Sequence, residues 1–429
     1  MLATTITVGI MIGLMLLRFP VFYAMSLSIV AFAAIYAPIM RPAIVVQGLM
    51  QGLDNSAFTA LVYFFVVGTI MNAGGMSARL LDLARALLAH IRGGLSHVNI
   101  GASMIFAGIS GSAVADVAAV GSVIIPAMKR DGYSPAYAAA VTATSATIGL
   151  VIPPSIPMVV FALFTGADVA RLFVAGILPG IGMGLFLLVV SIVISIRRNY
   201  PAQAWAGWMA VWTALRRSLL ALMLPFVVIG GMIFGFATVS EIGAIAVVYA
   251  MAVSLFVYRE TTLRSFIAAL GDAAVDSAKI LIIVAVSGAF IWITARMGVA
   301  GQFVAMSTDL ALSPAMFLAL TAVFLLILGT VLDPVIIIIV VAPIVAPTAA
   351  AAGVDILQFG IVVVLAGAIG LVTPPVGILL FITAAQANAR VGHVVRESLV
   401  FIAALVLLLA LVVAWPSLTL WLPEAIFGR

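Results

Sequence analysis

Two segments of this chain decide its fold: GISGSAVADVAAVGSVIIPAM, residues 108–128, and IGLVIPPS, residues 148–155. Each has a counterpart later in the sequence. The counterparts are GTVLDPVIIIIVVAPIVAP, residues 329–347, and IGLVTPPVG, residues 369–377. An internal copy of this kind indicates a chain built from two repeated halves, an architecture that occurs in many membrane proteins.

The two copies align without a gap at a constant offset of 221 residues. At this offset the run Ile-Gly-Leu-Val at residues 148–151 falls on the same run at 369–372, and Pro153-Pro154 falls on Pro374-Pro375. An identical run followed in register by a Pro-Pro pair is not expected by chance, even in an apolar chain rich in Gly and Pro. The sequence therefore predicts a duplication.

The composition requires lipid as the main solvent. Of the 429 residues, 66% are hydrophobic and 8% are charged, and the mean hydropathy is +1.36. Soluble domains carry about 25% charged residues, and a spanning helix needs about 20 apolar ones. We therefore expect about ten crossings and no sizeable soluble domain. The chain is apolar from Leu2 with no basic stretch before it, which favours a first spanning helix over a cleaved signal.

Several classes of function are excluded or disfavoured by the residues present. Only two of the 19 basic residues are lysines, Lys129 and Lys279, and neither stands in a GxxxxGK[ST] phosphate loop. The net charge of +5 is scattered between apolar segments, without the dense patch that nucleic acid requires. No arrangement of nucleophile and base suggests an enzyme, and no cysteine is present for disulfides or thiolate sites.

The expected fold is an all-α polytopic membrane protein with two inverted-topology repeats. Each half is predicted to cross five times, with one re-entrant hairpin that does not cross and one interrupted helix that does. An odd number of crossings inverts the second copy. The predicted boundaries are residues 1–198 for the first repeat, with a hairpin at about 95–129 and an interrupted helix at about 134–165; 199–213 for a cytoplasmic linker; and 214–429 for the second repeat, with a hairpin at about 313–351 and an interrupted helix at about 355–388.

The distribution of Arg and Lys supports this topology. Basic residues gather in cytoplasmic loops. With both termini placed in the periplasm, 15 basic residues fall on the cytoplasmic side and four on the other, namely Arg41, Arg171, Arg296 and Arg429. The predicted location is the bacterial inner membrane. The amphipathic stretch 77–92 is predicted to lie at the membrane surface.

The chemistry is predicted at the helix breaks. Broken backbone at membrane depth occurs where it lines a cavity or binds an ion, because unpaired polar groups are costly in lipid. The first hairpin tip, Ser110-Gly111-Ser112, is expected to face the break at 149–155, and the second tip, 329–334, to face the break at 370–377. Freed carbonyls and hydroxyls could enclose Na⁺ at each pair, and half-helix amino termini could point at an anionic substrate.

Each of the polar side chains near the breaks could have one of two roles. Asp333 at the second tip suits a functional role at that depth, or an N-cap of the following half-helix. Asp116, one turn beyond Ser112, suits a direct ligand role, or a cap or packing role at a helix amino terminus. The hydroxyl groups near the breaks could contact substrate. They could instead donate hydrogen bonds to their own helix backbone, as hydroxyls in membrane helices often do. These candidates are Thr142, Thr144, Ser145, Thr147 and Thr383.

The motifs quoted above resemble those of the large membrane subunit of tripartite ATP-independent periplasmic (TRAP) transporters, over essentially the full chain. The resemblance implies a Na⁺-driven, elevator-type carrier that works with a small four-helix membrane subunit and a periplasmic binding protein. Carried over by motif, it implies a first sodium site at Ser110, Ser112, Gly149, Ile152 and Pro154. It implies a second at Gly329, Asp333, Gly370 and Thr373. No metal other than Na⁺ and no cofactor is expected.

Two other transport functions remain open at this point. One is a stand-alone sodium/dicarboxylate-type symporter of the same broad fold. The other is a channel, which is disfavoured because two occluding hairpins without a ring of charged pore residues indicate alternating access. The expected substrate is a small organic anion, a carboxylate or a sugar acid, delivered by the binding protein.

Overall fold

The computed structural model describes residues 9–428, with gaps at residues 12, 16, 18, 36–41, 55–56 and 261. Within these residues the secondary structure is helical and contains no strand. The predicted helix at 2–17 lies mostly outside the described residues, as do the basic residues Arg18, Arg41 and Arg429. The all-α prediction is confirmed for the described part of the chain.

The first half contains nine described helices that begin at or after Val21. Residues 113–130 form one continuous helical arm with a π-helical turn at Val117–Gly121. A 3₁₀ turn at Thr147–Leu150 follows the helix that ends at Ala146. The bounds are α1 Val21–Ile35, α2 Pro42–Leu53, α3 Ala57–Ala73, α4 Met76–Leu88, α5 Gly94–Ser110, α6 113–130, α7 Pro135–Ala146, α8 Ile156–Thr165 and α9 Val169–Arg197.

The second half contains ten helices. The helix that ends at Ala252 continues into a π-helical segment at Val253–Tyr258. The bounds are α10 Trp208–Ile233, α11 Val239–Ala252, α12 Leu263–Arg296, α13 Val299–Asp309, α14 Pro314–Gly329, α15 Pro334–Ala351, α16 Ile356–Gly370, α17 Ile378–Ala387, α18 Val391–Ala414 and α19 Ser417–Phe427.

The helix starts repeat at the offset found in the sequence. α6 and α7 begin at 113 and Pro135, and α15 and α16 begin 221 residues later, at Pro334 and Ile356. Beyond the break the offset becomes 222, since α8 begins at Ile156 and α17 at Ile378. This agreement supports the duplication, while the inverted orientation and the domain boundaries stay predictions.

Six helices are long and apolar enough to cross a membrane by length and composition among the described residues. They are Val169–Arg197, Trp208–Ile233, Val239–Tyr258, Arg264–Arg296, Pro334–Ala351 and Val391–Ala414. A seventh candidate joins α3 and α4, which are bent by 68°. The ten predicted crossings include interrupted helices that such a count omits, so the number stays a prediction.

The helices differ from the sequence-based expectations in two ways. From the sequence we predict no helix at the positions of α2 and α13, and a single last helix at about 398–422, which the structure divides into α18 and α19. The division falls at Pro416, whose missing N–H and fixed φ favour a helix boundary. One predicted hairpin arm, α15, is also long enough to span by length alone, although Pro343 and Pro347 interrupt its hydrogen bonding.

The core lies where the two halves interlock. α8 of the first half packs against α15, and its Phe161 ring lies 5.8 Å from that of Phe359 in α16. In return, α17 of the second half packs against α7 and residues 117–130. Lys129 Nζ donates a hydrogen bond of 2.8 Å to the carbonyl of Ala387 at the end of α17. Each hairpin is thereby held against an interrupted helix of the opposite half.

Candidate functional site: paired helix breaks

The first hairpin tip lies against the first break, as predicted. Gly111 ends α5 in the left-handed region, with φ of 59°. A Cβ on Gly111 would stand 2.9 Å from the Pro154 carbonyl oxygen and 3.1 Å from the Ile156 nitrogen, so only glycine fits there without displacing backbone. Ser112 then caps α6, its hydroxyl accepting from Ala115 N at 3.5 Å.

The first break frees backbone carbonyls toward this tip. Pro153 and Pro154 have no N–H, so the carbonyls four residues earlier, at Gly149 and Leu150, lack their usual helical donors. Leu150 O accepts a bond of 2.5 Å from the Ser155 hydroxyl instead. Ser155 also caps α8, accepting from Met158 N at 3.4 Å. The Gly149 carbonyl therefore remains without an i+4 amide, beside a tip that carries two serines.

Asp116 is fully buried in the hairpin arm behind the tip. Its Oδ1 accepts a short hydrogen bond from the Ser110 hydroxyl, and its Oδ2 has no partner among the described residues. A side chain on Gly149 would collide with that Oδ2. Asp116 is thus not an N-cap, because Ser112 performs that role; it brings an unsatisfied buried oxygen to the first break. The ligand role of Asp116 stays a prediction.

The second tip and the second break touch through two glycines. A Cβ on Gly329 would stand 3.0 Å from Gly370 Cα, and a side chain on Gly370 would collide with the Gly329 backbone. Across the same contact, Gly377 N donates to the Thr330 carbonyl at 3.3 Å. The backbones of hairpin and interrupted helix therefore approach as closely as two helices can. The second predicted pairing of tip with break is present as well.

Asp333 caps α15, since its Oδ1 accepts from Val335 N at 2.9 Å. One carboxylate oxygen is thereby occupied and the other is left for a ligand, so capping and ion binding are compatible here. Thr373 in the second break donates to Ile369 O at 2.7 Å and is half-buried. Both Pro-Pro bonds, at Pro153-Pro154 and Pro374-Pro375, are cis.

The hydroxyls predicted as substrate contacts all bond to their own helices. Thr144 donates to Ala140 O at 2.8 Å, Thr147 to Thr144 O at 2.7 Å, and Thr383 to Leu379 O at 2.9 Å. Ser145 donates to Thr142 O at 3.3 Å. These are the local bonds expected for hydroxyls in membrane helices. All are buried, so they line the packed region behind the breaks.

A residue that the sequence reasoning did not select also reaches this region. Gln386 in α17 donates from Nε2 to the carbonyl of Val117 at 3.3 Å, and its buried Oε1 has no partner among the described residues. Val117 opens the π-helical turn, a feature often found at functional sites. Gln386 stands three residues after Thr383, which is the spacing that could have drawn attention to it.

One cavity borders the first hairpin on the side facing α4. It has a volume of about 350 Å³. Its polar lining comes from Asn72, Ser77 and Ser122, and its apolar lining includes Phe106 and Leu81. None of the predicted substrate contacts lines it. The cavity lies between the hairpin and the bend that joins α3 to α4, beside the direct contact of α4 with α5.

The sequence matches the family model described as "Tripartite ATP-independent periplasmic transporter, DctM component" over residues 8–418. The chain belongs to this family. It is 36% identical over 376 residues to the C4-dicarboxylate TRAP transporter large permease protein DctM of Pseudomonas aeruginosa, covering 88% of each chain. It is 32% identical to the sialic acid TRAP transporter large permease protein SiaM of Vibrio cholerae, covering 89% of this chain and 90% of that one.

A solved structure shares the fold of this TRAP permease subunit. The YdaH transporter of Alcanivorax borkumensis aligns with a TM-score of 0.64 at 16% identity, covering 86% of this chain and 87% of that one. At that identity the likeness concerns the fold alone. Together with the helical structure, it confirms the prediction of a polytopic all-α membrane protein. The similar curated proteins are transporter permease subunits, in agreement with the expectation of a non-enzyme.

Proposed function

We propose that this chain is the transport subunit of a Na⁺-driven TRAP system that imports a small organic acid. The observation that carries the proposal is the pairing of each hairpin tip with a helix break, Gly111 against Pro154 and Gly329 against Gly370. Such paired breaks supply carbonyl and hydroxyl oxygens, the ligands that a hard monovalent cation takes, without a cluster of charged side chains.

The first sodium site would be formed by Ser110, Ser112 and the carbonyls of Gly149, Ile152 and Pro154. Support comes from the Gly149 carbonyl, which lacks a helical donor, and from the unpartnered Asp116 Oδ2 beside it. A cation at this position would satisfy an oxygen that the protein leaves unpaired, at a burial where that omission costs about 1–3 kcal/mol or more. Asp116 is included in the proposal as a charge that favours the bound cation.

The second site would be formed by the free oxygen of Asp333 together with Gly329, Gly370 and Thr373. Two coupled ions suit the energetics of uptake. A thousandfold gradient requires about 4 kcal/mol, and one charge crossing 100 mV supplies about 2.3 kcal/mol. One Na⁺ carried with a monoanion would gain nothing from the potential, whereas two would.

The substrate class follows from the similar proteins, whose names specify C4-dicarboxylate and sialic acid, both carboxylates. The proposed substrate is accordingly a carboxylate or sugar acid. The start of α8, capped by Ser155, lies at the first break and would offer its partial positive charge to such an anion. The cavity of about 350 Å³ between the hairpin and α4 has room for a small organic acid.

The proposed partners are a small four-helix membrane subunit and a periplasmic binding protein, in the bacterial inner membrane. In this arrangement the hairpins and interrupted helices move together as an elevator against a fixed frame. The contacts between the two halves support a single moving body. Lys129 and Phe161 each contact the opposite half, so the hairpins and interrupted helices would move together.

Reconstitution tests the proposal. Proteoliposomes with the chain, the small subunit and a loaded binding protein should take up substrate when a Na⁺ gradient is imposed, and the rate should saturate with binding protein. The isolated chain should transport little or nothing. Equal uptake by the isolated chain from free substrate would instead establish a stand-alone symporter, and ohmic single-channel current would establish a channel.

A further inference from the structure

One cavity lies away from the two breaks, between α4 and the start of α10. Its volume is about 490 Å³. It is roofed by the segment 203–206, which is tied to the end of α4 by a bond of 3.0 Å from Gln203 N to Ala89 O. Neither the proposed sodium sites nor the proposed substrate contacts line it.

The charge of this cavity is positive. Three arginines line it, Arg79, Arg85 and Arg217, against the single carboxylate of Asp82. An adjoining cavity adds Arg216 and Glu260. Four cations thus face two carboxylates in the joined space, which leaves an excess of two positive charges.

Only one of these arginines is neutralised by the protein. Arg79 forms an ion pair of 2.6 Å with Glu260 and lies 3.7 Å above the centre of the Tyr258 ring. Arg85 and Arg217 form no ion pair within the described part of the chain, and the buried Nε of Arg85 has no hydrogen-bond acceptor there. A buried guanidinium nitrogen left in this state requires an anion or water to satisfy it.

Aromatic and apolar side chains line one side of the same cavity. Trp205 and Met209 line it, and the Trp205 ring lies 5.6 Å from that of Trp208. Trp208 is 78% exposed and Met209 is 75% exposed. Farther along α10, Phe226 is also 68% exposed. Tryptophan collects at the level of lipid headgroups, so this cluster marks the boundary between membrane and water.

We propose that this cavity binds the phosphate of an anionic phospholipid. Arg85 and Arg217 hold the phosphate oxygens, because guanidinium groups match phosphate geometry with paired N–H donors. The acyl chains run along the exposed apolar side of α10, past Trp212 and Phe226. The bound lipid then fills the space between α4 and α10.

A lipid suits the cavity better than a soluble phosphate because of what surrounds it. A soluble anion would use the arginines and leave the Trp and Met side chains without function, whereas a lipid uses both. Basic pockets between membrane helices are recognised binding sites for acidic headgroups. The lipid assignment depends only on the membrane location of the chain and stands independently of sodium coupling.

The test measures thermal stabilisation of the purified full chain as a function of added lipid. Dioleoylphosphatidylglycerol should stabilise the protein at lower concentration than dioleoylphosphatidylcholine with the same acyl chains. The double variant Arg85→Gln/Arg217→Gln should bind phosphatidylglycerol roughly thirtyfold more weakly, at about fivefold for each arginine near the headgroup. Its response to phosphatidylcholine should change little.

A variant with the same loss of charge serves as the control. Arg264→Gln/Lys279→Gln removes two exposed cations that do not line the cavity, and it should weaken phosphatidylglycerol binding less than about threefold, because solvent and salt screen exposed charges that make no contact with the phosphate. If the double variant does not fold, the exposed Arg217→Gln alone should show its roughly fivefold loss.

Three outcomes would overturn the proposal. Equal binding of the two lipids would remove the role of headgroup charge. An equal loss of phosphatidylglycerol binding in the control variant would show that the lipid responds to the overall charge of the protein and not to this cavity. Stronger protection by glycerol phosphate in solution than by phosphatidylglycerol would assign the cavity to a soluble phosphate compound instead of a lipid.

Discussion

Oδ2 of Asp116 faces the Cα of Gly149 across the first break, with no room between them for a side chain. The carboxylate belongs to the hairpin and the glycine to the interrupted helix, so this contact joins the two elements. Because this buried carboxylate oxygen has no hydrogen-bond donor, a cation beside it would be favourable.

Gly149→Ala should therefore damage both stability and transport. The new methyl group would displace the Asp116 carboxylate, and overpacking of this kind costs about 1–3 kcal/mol. Thermal unfolding in detergent and Na⁺-driven uptake measure the two effects. Gly271→Ala is the control, since nothing lies within 4 Å of a Cβ there, and it should be neutral or stabilising by up to about 1 kcal/mol. Equal behaviour of the two variants would contradict the close contact.

Asp333→Asn separates capping from ion binding. Asparagine caps a helix as well as aspartate does, so the protein should remain folded, while the loss of charge should raise the Na⁺ concentration that half-activates uptake by about tenfold or more. The matched control is Asp355→Asn, another N-cap whose Oδ1 accepts from a backbone N–H two residues on, at 2.7 Å. An unchanged Na⁺ dependence for Asp333→Asn would leave this residue with a capping role alone.

Ser112→Ala should weaken Na⁺ activation at the first site. It also removes an N-cap, which costs about 1 kcal/mol. Ser313→Ala removes a comparable cap from α14, where the hydroxyl accepts from Met316 N at 3.3 Å, and it should cost similar stability without altering the Na⁺ response. Titration of uptake against Na⁺ distinguishes the two, and identical titration curves would argue against a ligand role for Ser112.

Lys129→Met should loosen the contact between the halves. The variant leaves the Ala387 carbonyl without its donor at the end of α17, where a cation is also favoured by the helix dipole, so we expect a loss of about 1–3 kcal/mol. Lys279→Met removes an exposed lysine paired with Asp276 and should cost less than about 0.5 kcal/mol. The melting temperatures of the two variants provide the comparison. A similar small change in both would show that the Lys129 hydrogen bond does not stabilise the contact between the halves.

The topology can be tested on the natural background, which has no cysteine. Single cysteines at Arg197 and Arg264 should react with an impermeant maleimide only from the cytoplasm, and one at Arg296 only from the periplasm. All three positions are exposed and form no ion pair among the described residues. Arg79 and Arg198 are less suitable, because they pair with Glu260 and Glu397. Reversed labelling at any position would require another arrangement.

The sequence predicted the duplicated framework well, for a physical reason. Prolines without an N–H have few alternatives in a membrane helix, so Pro153-Pro154 and Pro374-Pro375 mark the same helix interruption in the two halves. The pairing of each tip with a break followed from that. The unpaired side-chain oxygens of Asp116 and Gln386 did not follow from the sequence, because they depend on which helices meet. Gln386, for example, lies in α17 and contacts α6 of the other half.

The short connections and surface helices were also beyond sequence reasoning. α2 and α13 have only 12 and 11 residues, too few to be recognised as spanning helices, and their packing against α12 and α15 is a tertiary effect. The amphipathic stretch 77–92 was predicted correctly as a helix, but its partner α10 and the arginine-lined cavity between them came from the folded chain.

The exchange of contacts between the halves bears on how such a chain originated. α8 rests on the second hairpin arm and α17 on the first, so each half covers apolar surface that the other exposes. An ancestor with a single copy would have left that surface bare, and two identical copies would have covered it by pairing about a two-fold axis. Gene fusion would then have joined a homodimer that already existed, keeping its interface and freeing the two copies to diverge, with a carboxylate at Asp116 in one and at Asp333 in the other.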